Sequence, residues 1–457
     1  MRASRGKKGA SGNGAQLRKL IIELTDVIEQ LRDEIKGLRA ENEGLRNRLE
    51  EAQRAAVRQA APFRIKDKKR VQNRKAAGRK GGHKGKCRER PEQVDRQVEV
   101  SLECCPHCGG EAFEQVSARR QWIEEIPPLQ PVVTELVTYE GRCEGCQRKV
   151  HSTHPLQVSL ASGAAATHLG PRALAVAADL NKRHGLSTRK SCRILEELFG
   201  LRISPGGLTQ AMERLAHKLK PAYEALIEEL RTAAAVHADE TSWWVGGPKW
   251  WLWVFTHAKG TVYQIAPNRA REVVEKMLGE DFPGVLVSDC LNSYDKLPMC
   301  QHKCYAHHHK AIAEAMDKHP RQGAGFLRQV RNLLYAASGL KKAQLPPERF
   351  RPMRAALDQQ ADRLLSNPRE DPFEESVRNR LFKQRDHLFT FLDHAAVDAT
   401  NNLAERQLRP AVIARKLSCG NKTPKGARTW EILTSLAATS SQRDSSYIDL
   451  VASAAVL

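Results

Sequence analysis

The chain has 457 residues, with 74 Lys or Arg, 53 Asp or Glu and a formal net charge of +21. This length exceeds one compact domain, so several are expected. Residues 1–90 hold 26 basic and 11 acidic residues, a net of +15, which leaves about +6 for the rest. A basic arm on a milder body favours a nucleic-acid partner. No apolar run is long enough to span a membrane and the start is too charged for a signal peptide, so we expect a cytoplasmic or nucleoid-associated protein.

The first periodic element is a heptad repeat, which predicts a coiled coil over residues 16–60 after a disordered segment, 1–15. The seam residues are Leu17, Ile21, Leu24, Ile28, Leu31, Ile35, Leu38, Asn42, Leu45 and Leu49. Ile at one seam position with Leu at the other favours a parallel two-stranded coil, and a single Asn fixes its register. We therefore predict a homodimer or a higher assembly. The alternative is an amphipathic helix packed on its own chain, which the narrow stripe disfavours.

A basic linker is predicted over residues 61–92. Residues 63–90 contain 13 basic and two acidic residues and several glycines, a composition that cannot build a core. We expect this stretch to bind DNA phosphates. The cations assigned to that role are Lys68, Lys69, Arg70, Arg74, Lys75, Arg79, Lys80, Lys84 and Lys86. A solvated linker without a partner has the same composition.

Two Cys-x-x-Cys pairs, 34 residues apart, predict a zinc-binding ribbon over residues 93–155. The pairs are Cys105 with Cys108 and Cys143 with Cys146. Four thiolates at this spacing match a closed tetrahedral Zn²⁺ site with a structural role, and a cytosolic chain disfavours disulfides. The intervening residues 121–142 are predicted as strands. Cys104 and His107 are alternative ligands, and a redox pair is the alternative use of the motif.

Residues 160–232 are predicted to be helical. Within them, a Gly-containing turn precedes a helix start at Ser204-Pro205, where Ser is a favoured cap and Pro fits the first turn. This is the layout of a helix-turn-helix. A plain pair of helices in a linker domain fits the pattern equally well.

Three later carboxylates stand out. Asp239 lies in an apolar strand before a Gly-Gly-Pro turn, Asp289 ends the β-branched run 284–289, and Glu405 lies in a predicted helix. Strands are depleted in Asp, because an ionised carboxylate out of water is costly unless it is paired or binds a metal. The three acids therefore predict a site for Mg²⁺ or Mn²⁺ that activates a water or hydroxyl against a phosphodiester. The hypothesis is metal-dependent cleavage or transfer of a nucleic-acid strand.

The order of the elements around these acids predicts the fold class. Antiparallel strands are expected at 233–240, 249–256 and 261–266. A crossover helix and further parallel strands follow, which is the ribonuclease H-like arrangement. We predict a multidomain α+β chain. Its α/β core comprises residues 233–310 and 393–440, with a helical insertion at 311–392 and a C-terminal tail at 441–457.

Four stretches resemble the transposases of the insertion sequence 66 family: HADET at 237–241, VSDCLNSYDKL at 287–297, CYAH at 304–307 and TNNLAERQLRPAVIARKLSCGN at 400–421. The order of coiled coil, basic stretch, double cysteine pair and tail also resembles that of the family over almost the whole chain. The resemblance implies a DDE transposase in which Asp239, Asp289 and Glu405 are catalytic and bind Mg²⁺ or Mn²⁺. It also implies terminal inverted repeats and target DNA as substrates, with small proteins of the same element as accessory partners.

The sequence departs from the family after its fifth strand. Where the family has a His followed two or three residues later by Arg, this chain has three His from His307 and then Lys310. Lys310 can replace an Arg at a phosphate only as a point charge. His307 is either a packed or capping residue or, when protonated, a contact to the scissile phosphate. A second zinc site at Cys300, Cys304 and His307 lacks Cys-x-x-Cys geometry and is not favoured.

The helix around Glu405 presents further polar residues. Asn401, Asn402, Glu405 and Arg409 share an arc of roughly 100° on a helical projection. We predict that this arc belongs to the site. The alternative is an exposed polar face.

Neighbouring residues have structural interpretations. Strand alternation sends Asp239 and Glu240 to opposite faces, so Glu240 is assigned a supporting or surface role. Asp295 is assigned to a turn or a helix cap. Sheet packing, with base stacking as the alternative, is expected for Trp243, Trp244, Trp250, Trp251 and Trp253.

The predicted mechanism is hydrolysis of a phosphodiester at a transposon end, followed by attack of the freed 3′-hydroxyl on target DNA. A decayed transposase that acts as a dimeric zinc-ribbon DNA-binding regulator is the main alternative. Such a protein has no physical reason to keep three acids in apolar surroundings. A ribonuclease H-type nuclease is a third interpretation, but it needs neither the zipper nor the ribbon.

Overall fold

The computed structural model describes residues 27–28, 30–35, 37–38, 41–42, 88–114, 117–160, 167–295, 297–318 and 324–456. The chain divides into two compact units, Met1–Gly82 and His83–Leu457. In the first unit the described residues are helical, as the heptad repeat predicts. The seam side chain of Leu38 is 52% exposed, and Asn42 Nδ2 donates to the Leu38 carbonyl at 3.2 Å. Dimerisation through this seam stays a prediction.

The cysteine region of the second unit has little regular structure. Strands β1 (Glu140–Arg142) and β2 (Lys149–His151) form an antiparallel hairpin around the second cysteine pair. Within the described residues 117–139 no strand forms, so the strands predicted for 121–142 are wrong except for β1.

Most apolar residues of this stretch are exposed to solvent. Val132 and Val133 are 92% and 90% exposed. Pro127, Pro128 and Pro131 also remove backbone donors that a ladder needs. Alternating polarity alone therefore does not produce a strand here.

Helices precede the central sheet, as predicted for residues 160–232. They are α1 (Pro171–Lys182), α2 (Thr188–Phe199), α3 (Pro205–Lys218) and α4 (Lys220–Arg231). Gly200 ends α2 with a left-handed φ of 65°, and Ser204 Oγ caps α3 by accepting from the Gly207 N–H at 3.0 Å. The predicted turn and Ser-Pro start are confirmed, whereas DNA recognition by this pair of helices stays a prediction.

The central sheet carries the first two of the three acids. Its strands are β3 (Ala235–Trp243), β4 (Trp250–His257), β5 (Gly260–Ala266), β6 (Val285–Ser288) and β7 (Gln301–Lys303). They lie in the order β5-β4-β3-β6-β7. Strands β3, β4 and β5 are antiparallel, β6 is parallel to β3 and β7 to β6, and helix α5 (Glu272–Leu278) connects β5 to β6. The predicted succession of antiparallel strands, crossover helix and parallel strands is confirmed.

Both faces of the sheet are covered, which explains its nearly continuous apolar strands. On one face, Val236 and Ala238 of β3 pack in a core with α1 to α5. On the other face, Ala235 and Trp243 belong to separate clusters. Even-numbered and odd-numbered residues of β3 therefore point to opposite faces of the sheet and pack against different helices.

A block of helices packs on the second face. It contains α6 (Tyr305–Lys318), α7 (Ala324–Ala343), α8 (Pro347–Leu365), α9 (Pro372–Lys383) and α10 (Thr390–Asp393). Its core includes Leu327, Leu334 and Ala361 and continues into β6 through Val285 and Val287. The helical character predicted for residues 311–392 is confirmed, and the block begins slightly earlier.

Three helices complete the described chain: α11 (Asn402–Ser418), α12 (Pro424–Gln442) and α13 (Tyr447–Ala455). Side chains of α12 accept hydrogen bonds from alternate N–H groups of the edge strand β5. The donors are Thr261, Tyr263 and Ile265, and the acceptors are Thr439, Ser435 and Glu431. Because these bonds satisfy the open edge of the sheet, α12 prevents its pairing with another strand.

The residues predicted as a tail form α13, which packs on α1. Tyr447 and Val451 are fully buried there, so this segment is part of the packed unit. None of the helices in the described part of the chain is long and apolar enough to span a bilayer.

Candidate metal centre

The parallel pairing of β3 with β6 sets the positions of the first two acids. His237 pairs with Val287, and continuing this register by two residues brings Asp289 opposite Asp239. Adjacent strands lie about 4.8 Å apart, and residues of equal parity share a face. Asp239 and Asp289 are therefore neighbours at the end of β6.

Helix α11 brings Glu405 over the same face. Asn401, the residue before the helix, donates from Nδ2 to the Ala238 carbonyl at 2.7 Å, and its Oδ1 lies 3.1 Å from His237 Nδ1. Near the other end of the helix, Arg415 Nη1 donates to Thr241 Oγ1 at 3.0 Å. The helix therefore lies along β3, with Glu405 one turn beyond Asn401.

The three acids lie close enough for their negative charges to interact. Burial and the negative charges of Glu240, Asp289 and Glu405 raise the pKa of Asp239 to about 7, although a hydrogen bond from the Glu240 N–H opposes this shift. Within the described residues, neither Asp239, Asp289 nor Glu405 forms an ion pair with Lys, Arg or His. Carboxylates in such a cluster could hold a divalent cation.

Glu240 lies on the opposite face, as alternation predicts. Its carboxylate accepts from Arg269 Nε at 2.9 Å and from the Tyr294 hydroxyl at 2.7 Å. Its side chain is 1% exposed, so the surface alternative for Glu240 is wrong. Glu240 instead links β3 to Arg269 and Tyr294 on the face opposite Asp239.

Sequence reasoning missed Lys303 as a neighbour of the acids. This buried residue ends β7, and its Nζ donates to Ser288 Oγ at 3.1 Å and to Gln301 Oε1 at 2.8 Å. Burial lowers the pKa of Lys303 to about 8, while negative groups that include Asp289 oppose the shift. The sequence signal that could have identified Lys303 was a Lys in a short strand, which pairs with the strand that leads to Asp289.

The structure also brings Cys304 to the third acid. One potential ligand atom from each of Cys304, His307 and Glu405 lies within 4.8 Å of the other two. Contact with the Cys304 side chain, together with Asp289 and Glu405, raises the pKa of His307 despite partial burial. Cys300 is exposed and outside this group, so the set of Cys300, Cys304 and His307 is wrong.

The remaining residues of the predicted arc differ in exposure to solvent. Asn401 is fully buried and holds the helix to β3, whereas Asn402 and Arg409 are exposed. Lys310 is likewise exposed on α6. The part that Asn401, Asn402, Arg409 and Lys310 play in the site stays a prediction.

Asp295 and the tryptophans have mainly structural contacts. Asp295 ends a short 3-10 turn, where its N–H donates to the Asn292 carbonyl at 3.0 Å, so the predicted turn role is confirmed. Its carboxylate also pairs with Lys383 at 2.6 Å. Trp243 packs 4.8 Å from Trp430, whereas Trp244 is 39% exposed. Base stacking therefore remains open only for an exposed residue such as Trp244.

The two cysteine pairs form separate knuckles. In the first, the Gly109 N–H donates to the Cys105 carbonyl at 2.8 Å, and in the second, the Gln147 N–H donates to the Cys143 carbonyl at 2.8 Å. Hydrogen bonds from backbone N–H groups of each turn lower the pKa of Cys105 and that of Cys143. Over the described residues, the four thiols do not form a group within 4.8 Å.

The zinc ribbon that would unite the two knuckles therefore stays a prediction. The same holds for zinc binding by Cys108 and Cys146 and by the alternative ligands Cys104 and His107. The predicted DNA-binding cations lie outside the described residues. They are Lys68, Lys69, Arg70, Arg74, Lys75, Arg79, Lys80, Lys84 and Lys86.

Comparison with known proteins matches this architecture to one family. The family model for "Transposase IS66 family" matches residues 166–429, more than half of the chain, and includes all three acids. The chain is also 23% identical over 271 residues to "Uncharacterized protein y4qI" of Sinorhizobium fredii (strain NBRC 101917 / NGR234). This match covers 52% of the chain and 50% of the relative, so the chain spans about half the length of that protein. The family match and the convergent acids lead to one conclusion: the chain belongs to the IS66 family of transposases.

Proposed function

We propose that this protein is a DDE transposase, which cleaves transposon ends and transfers the freed strand into target DNA. The observation that carries the proposal is the convergence of Asp239, Asp289 and Glu405 from two strands and a helix, with no ion pair to any of them within the described residues. Membership of a transposase family supports DNA as the substrate. The strand order supports a ribonuclease H-like description of the core.

The donor set fits hard divalent cations. Carboxylate oxygens are the ligands that Mg²⁺ and Mn²⁺ prefer. Asp239, Asp289 and Glu405 could hold a pair of such cations between them. Bound there, such a pair would polarise the phosphodiester and lower the pKa of an attacking water or hydroxyl.

The protein's part in this mechanism is to present ionised carboxylates in fixed positions. Asp239 must lose its proton to bind a cation, which its raised pKa makes sensitive to pH near neutrality. Asn401 fixes the start of α11 through its bonds to β3, and this orients Glu405. The same carboxylates would serve hydrolysis and strand transfer, since both are in-line displacements.

The other predicted modules belong to the same proposal. The basic linker would bind terminal inverted repeats and target DNA, and the heptad repeat would pair two copies. The cysteine pairs would hold structural Zn²⁺. Accessory proteins of the same element are proposed partners.

Cleavage of labelled DNA that carries the element's end, in Mg²⁺ or Mn²⁺, tests the proposal. Wild type should cut, whereas Asp289→Asn should bind DNA but not cut. Asp281→Asn is the matched control, because Asp281 is an exposed residue in the loop before β6. Binding without cutting by wild type, even with the accessory proteins, would favour the DNA-binding regulator.

A further inference from the structure

Cys304 occupies a junction of three elements beside Glu405. It follows β7 directly and precedes α6, and its side chain is fully buried. The backbone N–H of Asn401, at the start of α11, donates to Cys304 Sγ at 3.1 Å. The sulfur is therefore held at the point where the helix that carries Glu405 begins.

His307 completes a potential ligand set. Residues three apart at the start of a helix lie on the same side, so the Cys-x-x-His spacing places His307 next to Cys304. Its Nδ1 is buried and has no hydrogen-bond partner within the described residues. With Glu405, the ligand atoms all lie within 4.8 Å of one another.

The chemistry of this set differs from that of the three acids. A thiolate, an imidazole and a carboxylate suit Zn²⁺, whereas Mg²⁺ and Mn²⁺ favour oxygen ligands alone. Tetrahedral Zn²⁺ with bonds of about 2.0–2.3 Å has ligand atoms roughly 3.3–3.8 Å apart. Ligand atoms that lie within 4.8 Å of one another are close enough for side-chain rotations to bring them to this spacing.

We propose that Cys304, His307 and Glu405 form a zinc site that is separate from the cysteine knuckles and shares Glu405 with the Mg²⁺ or Mn²⁺ site. Zinc bound there withdraws Glu405 from the other acids and inhibits the protein. The inhibition rests on the proposed function, whereas zinc binding does not. Three protein ligands leave the fourth position for a water.

A catalytic thiol is the other use of a Cys-His pair, and burial argues against it here. Cys304 has no exposed surface, so its sulfur cannot reach a DNA phosphate. A metal needs only a path for the ion, which the half-buried His307 and Glu405 provide.

Zinc content of the full-length protein tests the site directly. After removal of metals and reloading with Zn²⁺, Cys304→Ser should bind one zinc per chain fewer than wild type. The matched control is Cys300→Ser, which removes an exposed thiol four residues earlier and should bind as much zinc as wild type. Zinc in the knuckles is common to all three proteins.

Two further measurements guard against misfolding. His307→Gln removes a half-buried ligand and should also lose one zinc. With Co²⁺ in place of Zn²⁺, the thiolate-to-metal absorption should fall by one thiolate's share in Cys304→Ser and in His307→Gln, and should stay unchanged in Cys300→Ser. Equal zinc content and equal Co²⁺ spectra in wild type, Cys304→Ser and His307→Gln would overturn the site.

Competition with Mn²⁺ tests the shared ligand without relying on cleavage. Zinc should weaken Mn²⁺ binding in wild type, and Cys304→Ser should need about 100-fold more zinc for the same effect, since loss of even an outer partner of a metal ligand costs about 10- to 100-fold. Identical competition in both proteins would overturn the sharing of Glu405. If zinc binds as proposed but wild type cuts no DNA in Mg²⁺ or Mn²⁺, the zinc site stands and the proposed function fails.

Discussion

The two faces of strand β3 hold neighbouring acids in opposite circumstances. Glu240 is buried against Arg269 and Tyr294, which donate to both of its oxygens. Asp239, on the face covered by α11, has other carboxylates near it and no ion pair within the described residues. A buried carboxylate with partners stabilises a fold, whereas one without them is retained for a ligand. The comparison therefore separates a structural acid from a proposed functional one.

The largest expected effect is on the face of Asp239. Asp239→Asn should reduce metal-dependent DNA cleavage about 1000-fold or more, the scale seen when one group that stabilises transition-state charge is lost. Single-turnover cleavage with bound DNA measures it. Asp281→Asn should cut like wild type, and equal cutting by both variants would remove Asp239 from the site.

The second effect concerns the face of Glu240. Arg269→Met leaves a buried carboxylate without its cation and should lower the free energy of unfolding by about 3–5 kcal/mol. Urea unfolding measures this change. The control is Arg271→Met, whose ion pair with Glu275 is exposed and should contribute about 0.5 kcal/mol or less. Similar losses in the two variants would contradict the structural role of Glu240.

The third effect is a gain in stability that depends on pH. The folded-state pKa of Asp239, about 7, lies above its ordinary value near 4, so ionisation opposes folding. This destabilisation is absent below about pH 4, grows as the pH rises to 7 and is complete above it. In chelator, Asp239→Asn should therefore be more stable than wild type by about 2–4 kcal/mol at pH 8. Thermal unfolding at pH 4 and pH 8 checks this, and an equal difference at both values would contradict it.

The smallest effect comes from a single hydroxyl. Tyr294→Phe removes one donor to Glu240 and should lower the free energy of unfolding by about 1–2 kcal/mol. Tyr335→Phe is the control, because Tyr335 is 59% exposed and its variant should unfold like wild type. No loss in Tyr294→Phe would show that Arg269 alone satisfies Glu240.

The sequence was sufficient for the succession of strands and for placing Asp239 and Glu240 on opposite faces of β3. Strand order follows from apolar runs and turns between 233 and 303, and alternation distinguishes Asp239 from Glu240. Both features depend on local periodicity, which a single sequence contains. Glu405 was predicted from the sequence as a third acid on a helix, but its approach to Asp239 depends on packing between segments more than 100 residues apart.

Other features required coordinates. The hydrogen bonds from Asn401 to β3 and the approach of Cys304 to Glu405 both depend on the packing of elements that are distant in the chain. The strands predicted near Val132 did not form because alternation cannot show whether a partner exists. Helix α13 was missed because its apolar residues pack on α1, which lies far earlier in the chain.

Binding of Mn²⁺ to metal-free protein at pH 8 tests the central claim most directly. We expect wild type and Asp281→Asn to bind two Mn²⁺ per chain at this site, and Asp239→Asn to lose that binding. This result would identify the acids on the face of β3 covered by α11 as metal ligands. Equal Mn²⁺ binding by wild type and Asp239→Asn would contradict the account, because the cluster would then hold its charge without a cation.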